Sequence, residues 1–292
     1  MHMGHRFLFE QLCSEGASRG LKPLIVTFDT HPRAVLESDY QPQLLTTFSE
    51  RKALLNEFGE VLVLSFAEIH SLTAAEFMQL LCDRYEVSVL LMGYDHRFGS
   101  DRLQKPFDYR RAGEECGVEV LTMREFMSGE WHVSSTEIRQ ALQNGNITLA
   151  NELLGRPYAL HGKVVHGNGI GRTLGFPTAN IRPEDPCKVI PKAGVYEVKV
   201  KGERTKDEGG ERREASGERL EVRGICNVGT NPTVGNTETT IEVYIPSFSG
   251  DLYDQNLRIE FVRFLREEHH FESLEALQEQ IKADVDNIRH RV

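Results

Sequence analysis

The chain has 292 residues, with 34 Lys and Arg against 44 Asp and Glu and a formal charge of −10, a balance that argues against nucleic acid or an anionic membrane surface as the main partner. The length predicts about two domains; no apolar run approaches the ~18 residues of a membrane span and Glu10 breaks the early apolar cluster, so no signal peptide is visible and a cytoplasmic protein is expected. Five cysteines (Cys13, Cys82, Cys116, Cys187, Cys226) are scattered without a Cys-x-x-Cys pair, which predicts reduced thiols and argues against a disulfide framework or a zinc site.

From residue 6 to about 155, short apolar runs alternate with longer helical stretches. A helix is predicted to begin near Arg6. Residues 24–28, 61–66, 87–93 and 118–123 are apolar on consecutive positions between breakers, as buried parallel strands are. Residues 74–85 carry Phe77, Leu80 and Leu81 at helical spacing. Ser134 with Glu137 forms a capping-box signature, and Asn144-Gly145-Asn146 makes the turn before a helix over 147–154. The pattern predicts a Rossmann-like, doubly wound α/β domain over residues 1–156.

After Gly155-Arg156-Pro157 the pattern changes. Strand candidates at 159–165, 194–200, 219–228, 239–245 and 257–265 follow one another between turn residues, which predicts a small antiparallel barrel over 157–292. A C-terminal helix closes it, with Ser273 as N-cap and Leu274, Leu277, Ile281, Val285 and Ile288 as the apolar stripe. Residues 201–218 are charged, glycine or small, and read as a mobile, solvated loop.

The most informative stretch is Gly171-Arg172-Thr173-Leu174-Gly175-Phe176-Pro177-Thr178-Ala179-Asn180. Glycines let backbone approach phosphate, and Thr178 and Asn180 offer two neutral oxygen ligands suited to a magnesium ion carried in on ATP. Taken alone, Thr-x-Asn is also a turn-forming pair, and the glycines also fit a β-turn. Glu242 stands in an alternating strand, on the face opposite Ile241, Val243 and Ile245, where a solvent-facing glutamate is the ordinary occupant.

Taken with His2-Met3-Gly4-His5, Gly93-Tyr94-Asp95-His96-Arg97-Phe98-Gly99 and Ser134-Ser135-Thr136-Glu137-Ile138-Arg139, these segments resemble the prokaryotic bifunctional riboflavin kinase and FAD synthetase family, in the same order over nearly the whole chain. The resemblance implies a nucleotidylyltransferase-like N-terminal domain that makes FAD from FMN and ATP, and a kinase barrel that makes FMN from riboflavin and ATP. In the kinase half it implies a phosphate cradle at Gly162, Gly167, Gly169, Gly171 and Arg172, Mg²⁺ held by Thr178 and Asn180, and Glu242 as acceptor of the hydroxyl proton. It further points to Tyr253, Arg266, His269 and Phe271 as the flavin slot, although Tyr253 and Phe271 also suit a core and Arg266 a surface charge. Tyr244 and Asp254 stand where a histidine and a glycine are expected.

In the other half the resemblance implies that His2 and His5 stabilise charge on the α-phosphate, that Ser134, Ser135 and Arg139 serve the β- and γ-phosphates, and that Asp95 and Arg97 support the site. Histidines this close to a chain start also suit a cloning remnant. Family members carry a first strand and a Gly-x-Phe-Asp-Gly turn ahead of the position of His2, where this chain has only Met1. The expectation is a sheet without that central strand, open strand edges beside the gap, and weak or absent FAD synthesis beside an intact kinase. Two other readings stand beside this one: a kinase with a scaffold N-terminal domain, and a non-catalytic flavin or nucleotide sensor. The joint presence of Thr178, Asn180 and Glu242 disfavours the sensor.

Overall fold

The structure, a computed structural model, describes residues 1–289 except 104, 125, 129, 130, 168–170, 172–174, 204–218, 234, 235, 247, 249 and 270. It forms two compact units, Met1–Ser134 and Ser135–Val292.

The first unit runs α1 (Met3–Arg19), β1 (Leu24–Phe28), α2 (Pro32–Leu36), α3 (Phe48–Leu55), β2 (Glu60–Leu64), α4 (Phe66–Ile69), α5 (Ala74–Tyr85), β3 (Val89–Met92), α6 (Pro106–Glu115) and β4 (Glu119–Thr122), followed by a hairpin of β5 (Met127–Ser128) and β6 (Trp131–His132). Strand β1 pairs in parallel with β2, and β3 in parallel with β4, so the alternating α/β pattern is realised as two parallel strand pairs. The predicted strand over 61–66 stops at Leu64, because Phe66 opens α4 with its N–H donated to Asp29 Oδ1 at 3.3 Å. Helix α1 starts three residues before the predicted position, with His2 extended at its N-cap, which draws the whole His-x-Gly-His segment into the helix start. Capping boxes start α3 at Thr47 and Glu50 and α5 at Thr73 and Glu76. Ala74, Met78, Met92, Tyr109 and Val120 form one core, on which Phe98 packs.

The second unit begins with α7 (Ser135–Gln143) and α8 (Ile147–Leu154), the latter capped by Asn146, whose Oδ1 accepts from Leu149 N at 3.2 Å. Next come β7 (Tyr158–Val165), β8 (Thr178–Pro183), β9 (Gly194–Glu203), β10 (Arg219–Thr233), β11 (Asn236–Tyr244), β12 (Asn256–Arg266) and α9 (Leu274–Arg289). The strands close into a barrel in the order β10-β11-β8-β7-β12-β9. Both leading helices are tied to it: Asn151 Nδ2 donates to Phe261 O at 2.9 Å, and Lys192 N donates to Leu142 O at 3.0 Å.

Strand β8 is absent from the strands read in the sequence, since Pro177 and Pro183 bracket it and half its residues are polar. Its alternation is nonetheless regular: Ala179 and Ile181 point into the barrel while Thr178, Asn180 and Arg182 do not. Tyr158, Leu160, Val198, Val200, Cys226, Val228, Ile241, Val243, Leu257, Ile259 and Phe261 fill the interior. Residues Lys201 to Glu203 belong to β9 and not to a loop, and Lys201 pairs with Glu260 at 3.2 Å; the rest of the predicted loop, 204–218, lies outside the described residues. Ser273 does cap the last helix, its Oγ accepting from Ala276 N at 3.2 Å. The stripe is shorter than predicted: Ile281, Val285 and Ile288 pack against Val195, Ile225 and Tyr244, whereas Leu274 is 57% exposed.

Candidate functional site

The barrel site follows from strand register. Val165 pairs with Asn180, Asn180 with Glu242, Glu242 with Asn227, Asn227 with Val195 and Val195 with Arg266, so six residues on six strands form one cross-strand row. At the usual strand spacing, Glu242 stands about 10 Å along this row from Val165 and about 14 Å from Arg266. Cross-strand partners share a face. Here it is the outer one: Val195 faces α9 and the neighbours Ile241, Val243, Cys226 and Val228 point inward. The packed stripe of α9 covers the row at Val195 and reaches Ile225 and Tyr244, the cross-strand pair two residues from Asn227 and Glu242 on the same face.

Within the stretch from Asn180 to Asn227, Thr178 donates its hydroxyl to Glu242 Oε2 at 3.1 Å. The glycine-rich segment lies directly against this pair. A Cβ at Gly167 would meet the Asn180 amide at 2.2 Å, and one at Gly171 would meet Phe176 O at 2.4 Å and Thr178 Oγ1 at 3.3 Å. Only glycine permits so close an approach. Gly162 differs from its predicted place in a phosphate cradle: it sits inside β7, paired with Pro183 and Leu257, and its missing side chain admits Arg182 O. Gly169 and Arg172 lie outside the described residues.

Of the four residues predicted to form a flavin slot, Arg266 and Phe271 are neighbours, and Tyr253 stands before the opposite end of β12. Tyr253, just before β12, stacks on His166 at a ring separation of 3.9 Å, beside the glycine-rich segment. Arg266 ends β12, roughly 30 Å further along the strand, where its guanidinium makes two-pronged contact with Asp284 and lies 5.8 Å from the Phe271 ring. His269 is exposed in the loop that follows. Asp254 adopts left-handed φ of 63°, the backbone state that suits a glycine at this position, and pairs with Lys163 at 2.8 Å. Tyr244 meets Phe176 edge-on at 5.3 Å, bracing the segment before Thr178.

In the first unit, β1 and β3 line the two sides of a cleft of about 800 Å³ into which α1 and α5 also face. His5, Arg51 and His96 line it near the carboxyl ends of the strands, the edge where open α/β sheets bind ligands. Arg51 donates from Nη2 to Phe28 O at 2.6 Å, and its buried Nε has no hydrogen-bond partner among the described residues. The His2 and His5 rings lie 3.9 Å apart, and His2 N donates to His5 Nδ1 at 3.4 Å. Gly4 allows this fold-over, since a Cβ there would stand 3.2 Å from the His2 ring. The turn carrying Asp95 and Arg97 is anchored by Tyr109, whose hydroxyl donates to Phe98 O and accepts from Phe98 N, each at 3.1 Å. Ser134 closes the first unit, while Ser135 and Arg139 lie in the first turns of α7 in the second.

Burial pushes the His2 imidazole down to about 4 and that of His5 to about 3, helped in His5 by the neighbouring His2. Both rings are therefore neutral at pH 7. In the unfolded chain they titrate near 6.5, so as pH falls below 6.5 the unfolded state takes up protons that the folded state resists, and stability drops. The expected loss is roughly 3 kcal/mol per imidazole by pH 4. Urea unfolding of the wild type and of His2→Gln/His5→Gln at pH 7 and pH 4.5 checks this; the double variant should show the shallower pH slope, and equal slopes would overturn the assignment.

Sequence reasoning did not single out Arg51, His166 and Asn227. Arg51 carried a signal, since Thr47-Phe48-Ser49-Glu50-Arg51 starts a capped helix. Asn227 carried a fainter one as a polar residue alternating with Cys226 and Val228.

The α/β unit carries paired imidazoles at a helix start, and the barrel carries a hydroxyl–carboxylate pair under a glycine-rich segment, side-chain types that suit a transferase acting on phosphate groups. A family model for riboflavin kinase matches residues 154–292, and one for FAD synthetase matches residues 1–137. The chain is 36% identical over 290 residues to the bifunctional riboflavin kinase/FMN adenylyltransferase of Escherichia coli K12, covering 97% of this chain and 87% of that protein. It is 32% identical to the Haemophilus influenzae protein of the same description, over 99% of this chain and 90% of that one. A crystal structure described as a macrolide-efflux protein from Streptococcus pneumoniae superposes with a TM-score of 0.86 at 31% identity, covering 100% of this chain and 91% of that one. Among the described residues no helix is long and apolar enough to cross a membrane. The chain belongs to the bifunctional riboflavin kinase/FMN adenylyltransferase family. Both halves match enzyme families, so neither the scaffold nor the sensor reading receives support.

Proposed function

We propose that residues 157–292 phosphorylate the 5′-hydroxyl of riboflavin from ATP, and that residues 1–156 transfer the AMP of a second ATP to the resulting FMN, with α7 and α8 carried on the barrel. The observation behind the kinase assignment is the cross-strand row, in which Glu242 stands between Asn180, against which the glycine-rich segment lies, and the half-buried Asn227. Donor phosphates fit the first side and the acceptor the second. Glu242 takes the hydroxyl proton as that oxygen attacks the γ-phosphorus, the bond to the bridging oxygen breaks, and ADP leaves. A Mg²⁺ ion fits here: the Thr178 hydroxyl oxygen and the Asn180 amide oxygen are hard neutral ligands beside a carboxylate, the usual company of a magnesium bound mostly through phosphates. When bound, it would neutralise charge on the transferring phosphoryl group.

Adenylylation needs no base, because the attacking FMN phosphate is already an anion. What it requires is stabilisation of charge on the α-phosphate and on departing pyrophosphate. His2 and His5 supply it at the start of α1; neutral in the free protein, they gain protons as a triphosphate approaches. Ser134 serves the remaining phosphates, with Asp95 and Arg97 in support. On the kinase side we retain Gly167, Gly169, Gly171 and Arg172 for phosphate, His269 and Phe271 for the flavin ring, and place Tyr253 with His166 on the nucleotide side. The acidic chain works in the cytoplasm on small molecules and not on nucleic acid or membrane.

Incubation with riboflavin, ATP and Mg²⁺, followed by chromatographic separation of the flavins over time, tests both assignments. FMN is the expected first product, and the FAD yield reports whether the divided sheet presents the imidazoles for adenylylation. Failure to form FMN would overturn the kinase reading.

A further inference from the structure

The outer face of β10 beside Glu242 holds a second carboxylate that the reaction above leaves unused. Glu268, two residues past β12, folds back so that its Oε1 accepts from Asn227 Nδ2 at 3.1 Å, and Asn227 is the cross-strand partner of Glu242. The carboxylate rests over Gly229, the next residue on the same face. A Cβ at Gly229 would stand 2.7 Å from Glu268 Oε1, 3.0 Å from Thr240 Oγ1 and 3.2 Å from Asn227 Nδ2. Glycine is thus the residue that lets this carboxylate lie on the strand. Glu268 is exposed, and among the described residues no cation pairs with it.

We propose that Glu268 is a substrate-positioning carboxylate, accepting hydrogen bonds from the secondary hydroxyls of a polyol acceptor whose terminal hydroxyl lies at Glu242. The inference rests on the kinase reading of the barrel and adds the selection of the acceptor. Gly229 lies two residues along β10 from the partner of Glu242, about 7 Å, a span that a ribityl chain bridges. An ionised carboxylate only accepts hydrogen bonds, so it selects hydroxyl donors. Its charge also opposes an acceptor that already carries a phosphate, which favours release of the phosphorylated product.

Kinase assays on the full chain with Glu268→Ala, Glu268→Gln and Gly229→Ala test this, alongside fluorescence titration with lumiflavin, which has the ring without the ribityl chain. The riboflavin KM should rise about tenfold in Glu268→Ala with kcat nearly unchanged, lumiflavin binding should not move, and FMN should inhibit Glu268→Gln more strongly than the wild type. Gly229→Ala should raise KM in the same way, and combining it with Glu268→Ala should add little, because both remove one contact. An unchanged riboflavin KM in Glu268→Ala, or equal weakening of riboflavin and lumiflavin, would overturn the proposal. If Gly229→Ala does not fold, the Glu268 variants decide alone. A wild-type chain that forms no FMN would overturn the kinase reading itself, an outcome distinct from normal turnover with an unaltered Glu268 variant.

Discussion

Replacing Glu242 by glutamine is expected to slow FMN formation about 10²–10⁴-fold while shifting the melting temperature by no more than about 2 °C. The two effects separate because of how the strand is built. Ile241 and Val243 on either side of residue 242 anchor β11 in the barrel interior, so the register does not depend on the side chain between them. Glutamine keeps the volume, and its carbonyl oxygen still accepts the Thr178 hydroxyl that now donates to Glu242 Oε2. What it loses is basicity, and with it the ability to take the proton from the attacking hydroxyl. Initial rates at saturating ATP and riboflavin, with a thermal melt on the same samples, check both halves. Near-normal turnover would remove Glu242 from proton transfer and leave it as a partner of Thr178.

Asp284→Ala is expected to destabilise the barrel unit by about 3–5 kcal/mol, a drop of roughly 6–20 °C in Tm. Asp284 and Arg266 are 7% and 17% exposed at the side chain, and they meet through contacts at 2.8, 3.1 and 3.2 Å. Gln280 adds a donor to Asp284 at 2.9 Å. This cluster fastens α9 across the end of β12, next to the apolar contact of Val285 and Ile288 with Val195 and Ile225. Removing the carboxylate leaves a guanidinium desolvated and unpaired, which costs far more than an exposed ion pair contributes. The same arrangement bears on the flavin role expected of Arg266. Substituting both partners by apolar residues, Arg266→Met with Asp284→Leu, should restore much of the stability. If riboflavin KM also returns to its wild-type value, Arg266 serves only to anchor the helix; a KM that stays high in a stable double variant shows contact with substrate.

Much of the site was legible because its chemistry is carried by local sequence. Thr178 and Asn180 read locally as oxygen ligands for a metal nucleotide, whereas the proton-accepting role of Glu242 came from the family resemblance; the structure joins Thr178 to Glu242 across 64 residues of chain by one hydrogen bond. Alternation placed Glu242 on the correct face, since one-residue periodicity survives without knowledge of the partner strand. The strand that carries Thr178 and Asn180 was not read, because two prolines and its polar outward residues outweigh the two buried positions, Ala179 and Ile181, in any local window. Its pairing with β7 and β11 is what makes it a strand.

The four-residue flavin slot shows the opposite limit. Tyr253, Arg266, His269 and Phe271 are close in sequence, but an eleven-residue extended strand separates the first from the others, and extended chain advances about 3.3 Å per residue. Arg266 is further claimed by Asp284, a partner 18 residues ahead on a helix whose docking no local pattern discloses.

By itself the amino-acid sequence determined the two-part architecture, through apolar runs separated by helices and then by turns, and it determined which residue types carry the chemistry. Tertiary structure alone decided what stands beside what: the row that crosses the six barrel strands from Val165 to Arg266, the glycines pressed against Thr178 and Asn180, the imidazole pKa values lowered by burial, and Glu268 folded back over Gly229. The physical reason is one of range. Periodicity and capping are written within a turn or a strand. Register, desolvation and ion pairing arise only when distant segments of chain meet.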